Sequence, residues 1–160
     1  MVLPRRPHEE GIAMSEAERL LREYVRAGDS GDYPMLRQLL HADVVTHSPG
    51  DATVHGVDGQ IAAWKAAHAG LGQLIHEIRA VVGSGNTAAA RARVHGVHRG
   101  RFLGVEPTGA RVDVDQAIFV KVETSQIVEM WEIVDTGSGL RQLGILDDQA
   151  LSPGTESDLP

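Results

Sequence analysis

The sequence predicts an α+β fold, with three helices in the N-terminal half followed by an antiparallel meander of long strands. Up to about residue 70, apolar side chains recur every three or four residues, which is typical of amphipathic helices. From residue 74 onwards, apolar and polar side chains alternate between glycine-containing turns, which is typical of strands with one buried face. Helices and strands that are largely separated along the chain indicate the α+β class.

Three helices are predicted from their caps and apolar stripes. Ser15 and Glu18 form a capping box that starts the first helix. Asp32 can cap a second helix, with Pro34 in its first turn. The third helix is expected over residues 57–70. Its apolar stripe contains Ile61, Trp64 and His68.

The strands are predicted from alternation and turn residues. A short strand is expected at residues 44–47, followed by a loop over residues 51–56. Long strands are expected at residues 74–82, 87–98, 111–121 and 127–135.

Length and composition limit the class of protein. We expect one domain from 160 residues, and 42% hydrophobic residues are enough for a core. The net charge of −7 argues against a nucleic-acid partner. No apolar run is long enough for a membrane span or a signal peptide, so no membrane partner is expected. The absence of cysteine excludes disulfides and fits a cytoplasmic location.

Both ends of the chain differ in composition from the middle. Residues 1–14 contain proline, glycine and mixed charges without periodicity, and we expect a flexible N-terminal arm. Residues 147–160 are acidic and contain proline and glycine, which predicts a disordered tail. Residues 15–146 then form the single domain.

Each of the last two strands carries one polar side chain among apolar neighbours, Gln116 and Glu132. A carboxylate enclosed in this way holds its proton more tightly and is a candidate acid or base. The hairpin register decides whether Glu132 is enclosed. A two-residue loop would place Trp131 opposite Ile118, whereas a three-residue loop would place Glu132 there. From the residues alone both registers remain open, and so does an ordinary solvated position for Glu132.

The segment 96–144 resembles the SnoaL-like polyketide cyclases of the nuclear-transport-factor-2-like superfamily. The resemblance rests on Gly-Val-His-Arg-Gly at 96–100, Pro-Thr-Gly at 107–109, Trp-Glu at 131–132 and Leu-Arg-Gln-Leu-Gly at 140–144. It implies a cone-shaped barrel in which a curved, mostly antiparallel sheet wraps around three N-terminal helices and leaves a pocket. It also implies a homodimer or higher homo-oligomer that uses the outer sheet face, with Ala88, Ala90 and Ala92 or their alternates pointing outward.

The resemblance also favours the three-residue loop and assigns roles. Glu132 matches the family's catalytic aspartate, which removes a proton from carbon next to a carbonyl and returns it to oxygen. The substrate-binding residues would be Gln116, His98, His47, Ile118 and Met130. No cofactor is expected, because no glycine-rich phosphate loop follows a strand, and no metal, because no cluster has ligand spacing.

Ile118 is a departure from the family, which places a histidine there to assist the acid. Isoleucine cannot exchange a proton, and it should desolvate Glu132, so we expect the pKa of Glu132 to lie above the reference value of about 4.3. We also expect this carboxylate to work without a charged helper. An intramolecular aldol-type cyclisation is the reaction favoured here. The alternatives are a ring-opening hydrolase or hydroxylase, or a non-catalytic small-molecule-binding dimer module in which a salt bridge ties up Glu132.

Overall fold

The computed structural model describes residues 13–147 and confirms the α+β class. The flexible arm and the disordered tail predicted from composition fall almost wholly outside these residues. In chain order the elements are α1 (Glu16–Ser30), α2 (Tyr33–Leu39), β1 (Leu40–Ser48), β2 (Ala52–His55), α3 (Gly56–Gly70), β3 (Leu71–Ser84), β4 (Thr87–His98), β5 (Arg111–Glu123), β6 (Gln126–Val134) and α4 (Thr136–Gln142).

The start of each of the first two helices follows from the predicted caps. The Ser15 hydroxyl accepts from the backbone N–H of Glu18, and the Glu18 carboxylate accepts from the N–H of Ser15. Asp32 caps α2 by accepting from the N–H of Met35. Two elements were not predicted. The segment expected to be a loop contains β2, and α4 follows the last strand.

The six strands form one curled sheet in the order β2-β1-β6-β5-β4-β3. All neighbours are antiparallel except β1 and β6, which pair in parallel. The simple meander prediction missed this parallel pair because it joins the first strand to the last. Helices α1 and α3 cover the concave face, and α1 contacts β3, β4, β5 and β6. This arrangement is the α+β cone that the resemblance implied.

Ala88, Ala90 and Ala92 lie on the concave face of β4 and are buried, so of the two faces that the expectation left open their alternates are the outward one. Their small side chains allow α1 to pack closely on the sheet, since a protein interior is filled without voids. The convex face therefore carries Arg91 and Arg93. Arg93 is paired there with Asp113 and Asp115, within the same chain.

The convex face also exposes an apolar patch. Its members are Val82, Phe119, Trp131 and Ile133, which are 67%, 42%, 36% and 61% exposed. They line an open groove of about 740 Å³. Isolated exposed apolar residues are ordinary, but a contiguous patch of large side chains indicates an interaction surface. The pairing of Arg93 with Asp113 and Asp115 within the chain reduces the repulsion between two copies of this face.

We therefore expect a homodimer that buries the convex patch. Light scattering of the wild-type protein at micromolar concentration should give the dimer mass, and Trp131→Glu should give the monomer mass because a charge would be buried at the contact. Leu103→Glu places the same charge at another exposed apolar residue and should leave the dimer intact. A monomer mass for the wild-type protein would contradict this expectation.

The packing of α1 against α3 depends on Gly28. A Cβ atom at this position would overlap the indole ring of Trp64, so that ring lies against α1 only because residue 28 has no side chain. In the same place, the Nε2–H of His68 donates to the Gly28 carbonyl at 2.8 Å. Gly28 thus fixes the position of Trp64 inside the cone.

Gly28→Ala should destabilise the protein by about 1–3 kcal/mol, the usual cost of overpacking. The direction of this change in stability is informative, because a glycine-to-alanine substitution inside a helix ordinarily stabilises the protein by about 1 kcal/mol. Gly139→Ala in α4 is the matched control, since its new Cβ would make an ordinary contact of 3.6 Å with Val114. Chemical denaturation of both variants measures the difference. A Gly28→Ala variant as stable as wild type would show that Trp64 can move freely.

Candidate active site

The β5–β6 hairpin determines which side chains enter the cone, and it does so with a bulge. The loop has two residues, Thr124 and Ser125, with φ of 47° and 60°, the left-handed conformations of a type I′ turn. The expected three-residue loop is therefore wrong. Val122 pairs with Ile127, but Lys121 pairs with Glu129, so one extra residue is inserted in β6. As a result Glu132, and not Trp131, lies opposite Ile118.

Glu132 lies on the concave face, among side chains from three strands. Ile118 and Met130 are buried beside it, and Gln116 is two residues further along β5 on the same face. Ser48 of β1 also lies close enough to act on the Glu132 carboxyl group. Trp131, in contrast, is on the convex face. The structure therefore brings together Glu132, Gln116, Ile118 and Met130, as predicted.

Tyr24 of α1, which sequence reasoning did not single out as a site residue, is the centre of a buried hydrogen-bond network. Its hydroxyl oxygen accepts from Gln60 Nε2 at 2.6 Å and from Trp64 Nε1 at 3.1 Å. With both donors aimed at the oxygen, the hydroxyl hydrogen is left for the nearby Glu132 carboxylate. Burial, and after it the charge of Glu132, raises the pKa of Tyr24, so the phenol stays protonated as a donor.

Burial raises the pKa of Glu132, in the direction predicted from its apolar neighbour Ile118. Three groups oppose the rise: the charge of His76, and then the Ser48 and Tyr24 hydroxyls. When protonated, His76 would be a charged neighbour of Glu132 that the sequence analysis did not foresee. His76 enters from β3, across the curled sheet, and the pairing of β5 with β6 alone does not reveal it.

Two of the expected substrate-binding residues lie away from Glu132. His47 is on the convex face, stacked on Trp131 with ring centroids 5.4 Å apart, and its Nε2 is 2.9 Å from Glu129 Oε1. Strand β1 was predicted correctly, but the face on which His47 lies was not. This follows from the parallel register, which places His47 beside Trp131.

His98 is fully buried at the far end of β4, where it pairs with Leu71. The backbone N–H of Thr108 donates to its Nδ1 at 3.2 Å, and the Thr108 hydroxyl is 3.0 Å away. His98 thus holds the 99–110 loop against the sheet. The β4 residue that pairs with Ile118, and through it lies in register with Glu132, is Ala90 and not His98.

Several buried polar atoms have no hydrogen-bond partner in the described part of the chain. They include Thr46 Oγ1, Gln60 Oε1 and Gln116 Oε1, all from concave-face or helix positions that border the Tyr24–Glu132 region. Each such atom costs about 1–3 kcal/mol if it stays unpaired, so a polar ligand would be favoured there. Among residues 13–147, no lysine or arginine forms a salt bridge with Glu132, and no cluster of three or more His, Asp or Glu residues is placed to hold a metal.

The fold and this enclosed carboxylate together define a nuclear-transport-factor-2-like α+β cone with a candidate acid–base centre. The family signature of the SnoaL-like polyketide cyclases matches residues 18–143. The chain therefore belongs to the SnoaL-like polyketide cyclase family. None of the curated proteins matches it significantly.

Within the described residues, no helix has the length and apolar character needed to cross a membrane.

Solved structures support the same assignment. IdmH of Streptomyces antibioticus, a candidate polyketide cyclase, is 27% identical with a TM-score of 0.72, covering 81% of this chain and 99% of its own. AclR of Streptomyces galilaeus, a candidate hydroxylase, is 26% identical with a TM-score of 0.74, covering 85% and 89%. A SnoaL-like protein of Jannaschia sp. CCS1 is 20% identical with a TM-score of 0.77, covering 91% and 100%, and shows the shared fold.

The raised pKa of Glu132 predicts a pH-dependent gain in stability for Glu132→Gln. A carboxyl group that holds its proton more tightly in the folded state destabilises that state once it ionises. This cost is absent below the unfolded value of about 4.3 and complete above the folded pKa. Glutamine never ionises, so the variant should have a higher Tm than wild type near pH 7, and the difference should shrink as the pH falls towards 4.

Glu123→Gln is the matched control for this measurement. Glu123 is exposed at the end of the same hairpin and is paired with Lys121 at 2.9 Å, a surface interaction of at most about 1 kcal/mol. It should show no gain near pH 7. A Tm difference for Glu132→Gln that is equal at both pH values would contradict the buried position of this carboxylate.

Proposed function

We propose that this protein is a cofactor-independent enzyme that performs acid–base chemistry on a carbonyl-rich, polycyclic polyketide, with an intramolecular aldol-type cyclisation as its reaction. The observation that supports this most is Glu132, a carboxylate with a raised pKa that is enclosed in the cone and accompanied by the Tyr24 hydroxyl. A carboxylate in an enclosed site is a suitable general base for carbon acids, because its proton affinity is closer to that of the substrate.

In this reaction the Glu132 carboxylate removes a proton from a carbon next to a carbonyl group. The electron pair of that C–H bond then forms a C–C bond to a second carbonyl carbon of the same molecule, which closes the ring. The π electrons of the second carbonyl move to its oxygen, which takes up a proton. No atom is gained or lost overall, so the product is an isomer of the substrate.

Gln116 is the proposed substrate-positioning residue. It is 7% exposed and lies on the same face as Glu132, and its Oε1 has no hydrogen-bond partner among the described residues. An amide offers both donors and an acceptor, so it can bind a carbonyl or an enol oxygen. Ile118 and Met130 would provide the apolar surface against which a polycyclic ring system packs.

Hydroxylation is the second candidate reaction, and the similarity to AclR favours it. Hydrolytic ring opening is a third, because an enclosed carboxylate that activates water would serve it equally well. A non-catalytic binding module would be supported by a salt bridge that ties up Glu132. Among the described residues no such ion pair involves it.

The test is turnover of a panel of aromatic polyketones, each with an ester-activated methylene within reach of a ketone side chain, followed by mass spectrometry. Cyclisation leaves the mass unchanged, hydrolysis adds one water and hydroxylation adds one oxygen atom. Glu132→Gln keeps the shape and hydrogen bonding of the side chain but cannot exchange the proton. Its kcat should fall by roughly two to four decades, the usual contribution of one general acid or base.

Glu123→Gln is again the control and should retain wild-type turnover. Wild-type kcat in Glu132→Gln would exclude Glu132 as the base. A product heavier by one water or one oxygen atom would replace cyclisation by the corresponding alternative.

A further inference from the structure

We propose that His76, held by Asp29, is the second proton-transfer group of this site and donates the proton that the substrate oxygen takes up. This inference rests on the proposed function, since it assigns the partner of Glu132. It restores, from a different strand, the histidine that Ile118 replaces.

The geometry of the pair is specific. His76 Nδ1 is 2.7 Å from Asp29 Oδ1, and the backbone N–H of His76 donates to Asp29 Oδ2 at 2.9 Å. Both carboxylate oxygens are therefore engaged by one residue. The two side chains are 10% and 19% exposed, so the pair is largely shielded from water. The Trp64 ring packs against the imidazole edge-on, with the centroids 5.2 Å apart.

The carboxylate determines which nitrogen of His76 is available. Because Asp29 can only accept, Nδ1 must carry a hydrogen, and the exchangeable position is Nε2. Nε2 has no hydrogen-bond partner among the described residues. The imidazole packs on the Trp64 ring, and Trp64 Nε1 donates to the Tyr24 hydroxyl at 3.1 Å. His76 therefore borders the same interior network that Glu132 acts on, although it belongs to β3 and Glu132 to β6.

The position of Asp29 is itself unfavourable for the helix. Asp29 lies in the last turn of α1, where the negative end of the helix dipole disfavours a carboxylate, and no basic residue lies in that turn. A residue that destabilises its own helix without a local benefit is typical of a functional position. The hydrogen bonds to His76 are the compensation that the structure shows.

In the proposed reaction Glu132 takes the proton from carbon and the new C–C bond forms. The carbonyl oxygen then takes the Nε2 proton of the His76 cation. At that point Glu132 is a neutral acid and His76 a neutral base with its hydrogen on Nδ1. Transfer of one proton from Glu132 to Nε2 through water restores both groups, and no other reactant is needed.

Asp29→Asn tests this orientation with little change in shape. The single amide oxygen must accept from the backbone N–H of His76, because an NH₂ group there would oppose another donor. The NH₂ group then faces Nδ1, which forces Nδ1 to accept and moves the hydrogen to Nε2. At a pH high enough for the imidazole to be neutral, long-range ¹H–¹⁵N spectra should show the Nδ1–H tautomer in wild type and the Nε2–H tautomer in Asp29→Asn, without any substrate. His76→Gln assigns the signal among the eight histidines.

Turnover of the same polyketone panel tests the role. His76→Ala should lower kcat by roughly two to four decades with little change in KM, and added imidazole should restore part of it. Asp29→Asn should lower kcat by up to about 10⁴-fold, because an Nδ1 that faces an NH₂ group cannot carry the hydrogen that the donating cation needs. His95→Ala is the matched control, since His95 also lies beside a carboxylate, 3.2 Å from Asp113, but on the convex face. It should retain wild-type kcat and show no response to imidazole.

The outcomes separate the two proposals. Loss of activity in Glu132→Gln together with wild-type kcat in both His76→Ala and Asp29→Asn would overturn the role of His76 and leave Glu132 as the base. An Nε2–H tautomer in wild type would overturn the orientation by Asp29. Where His76→Ala lacks a cooperative thermal transition, His76→Gln, which is closer in size, replaces it in the kinetic comparison.

Discussion

The Tyr24 hydroxyl is the contact on which the interior of this protein depends. It joins α1 to α3 by accepting from Gln60 and Trp64, and the Glu132 carboxyl group of β6 lies near enough to act on it. The two donors fix the position of the hydroxyl oxygen. Buried polar networks of this kind specify one arrangement of a core more sharply than apolar packing alone.

Two local features make this contact possible. Gly28 allows the indole ring of Trp64 to lie directly against α1, so that its N–H reaches Tyr24. The bulge in β6 turns Glu132 inward, since a shift of one residue exchanges the two faces of a strand. Without the bulge Trp131 would occupy the concave face, and the carboxylate would be in water. The same bulge therefore supplies the concave face with its acid and the convex face with its largest apolar side chain.

The interior carries polar groups that reduce stability. Glu132 is a half-buried carboxylate without a salt bridge to lysine or arginine among residues 13–147, and Asp29 lies at the wrong end of a helix dipole. Buried oxygens of Thr46, Gln60 and Gln116 have no hydrogen-bond partner in the described chain. All of these belong to the concave face or to the helices that cover it. A protein selected for stability alone would replace them with apolar side chains, and their retention is consistent with the acid–base site proposed above.

Local sequence was sufficient for the class of fold and for most of its elements. The Ser15 and Asp32 caps start α1 and α2, and alternation gives the long strands, because caps and periodicity depend only on neighbouring residues. The same alternation placed Gln116, Ile118, Met130 and Glu132 in one group. With the resemblance, it also gave the correct register for Glu132, although for the wrong loop.

Only the tertiary structure decided the rest. The parallel pairing of β1 with β6 joins residues about eighty positions apart, and it turned His47 to the convex face. The Asp29–His76 pair joins a helix end to a strand over a separation of 47 residues, and no periodicity links them. Sequence determines what each residue can do to its neighbours along the chain. Which residues meet across the cone depends on how the sheet curls, and that is a property of the whole packed molecule.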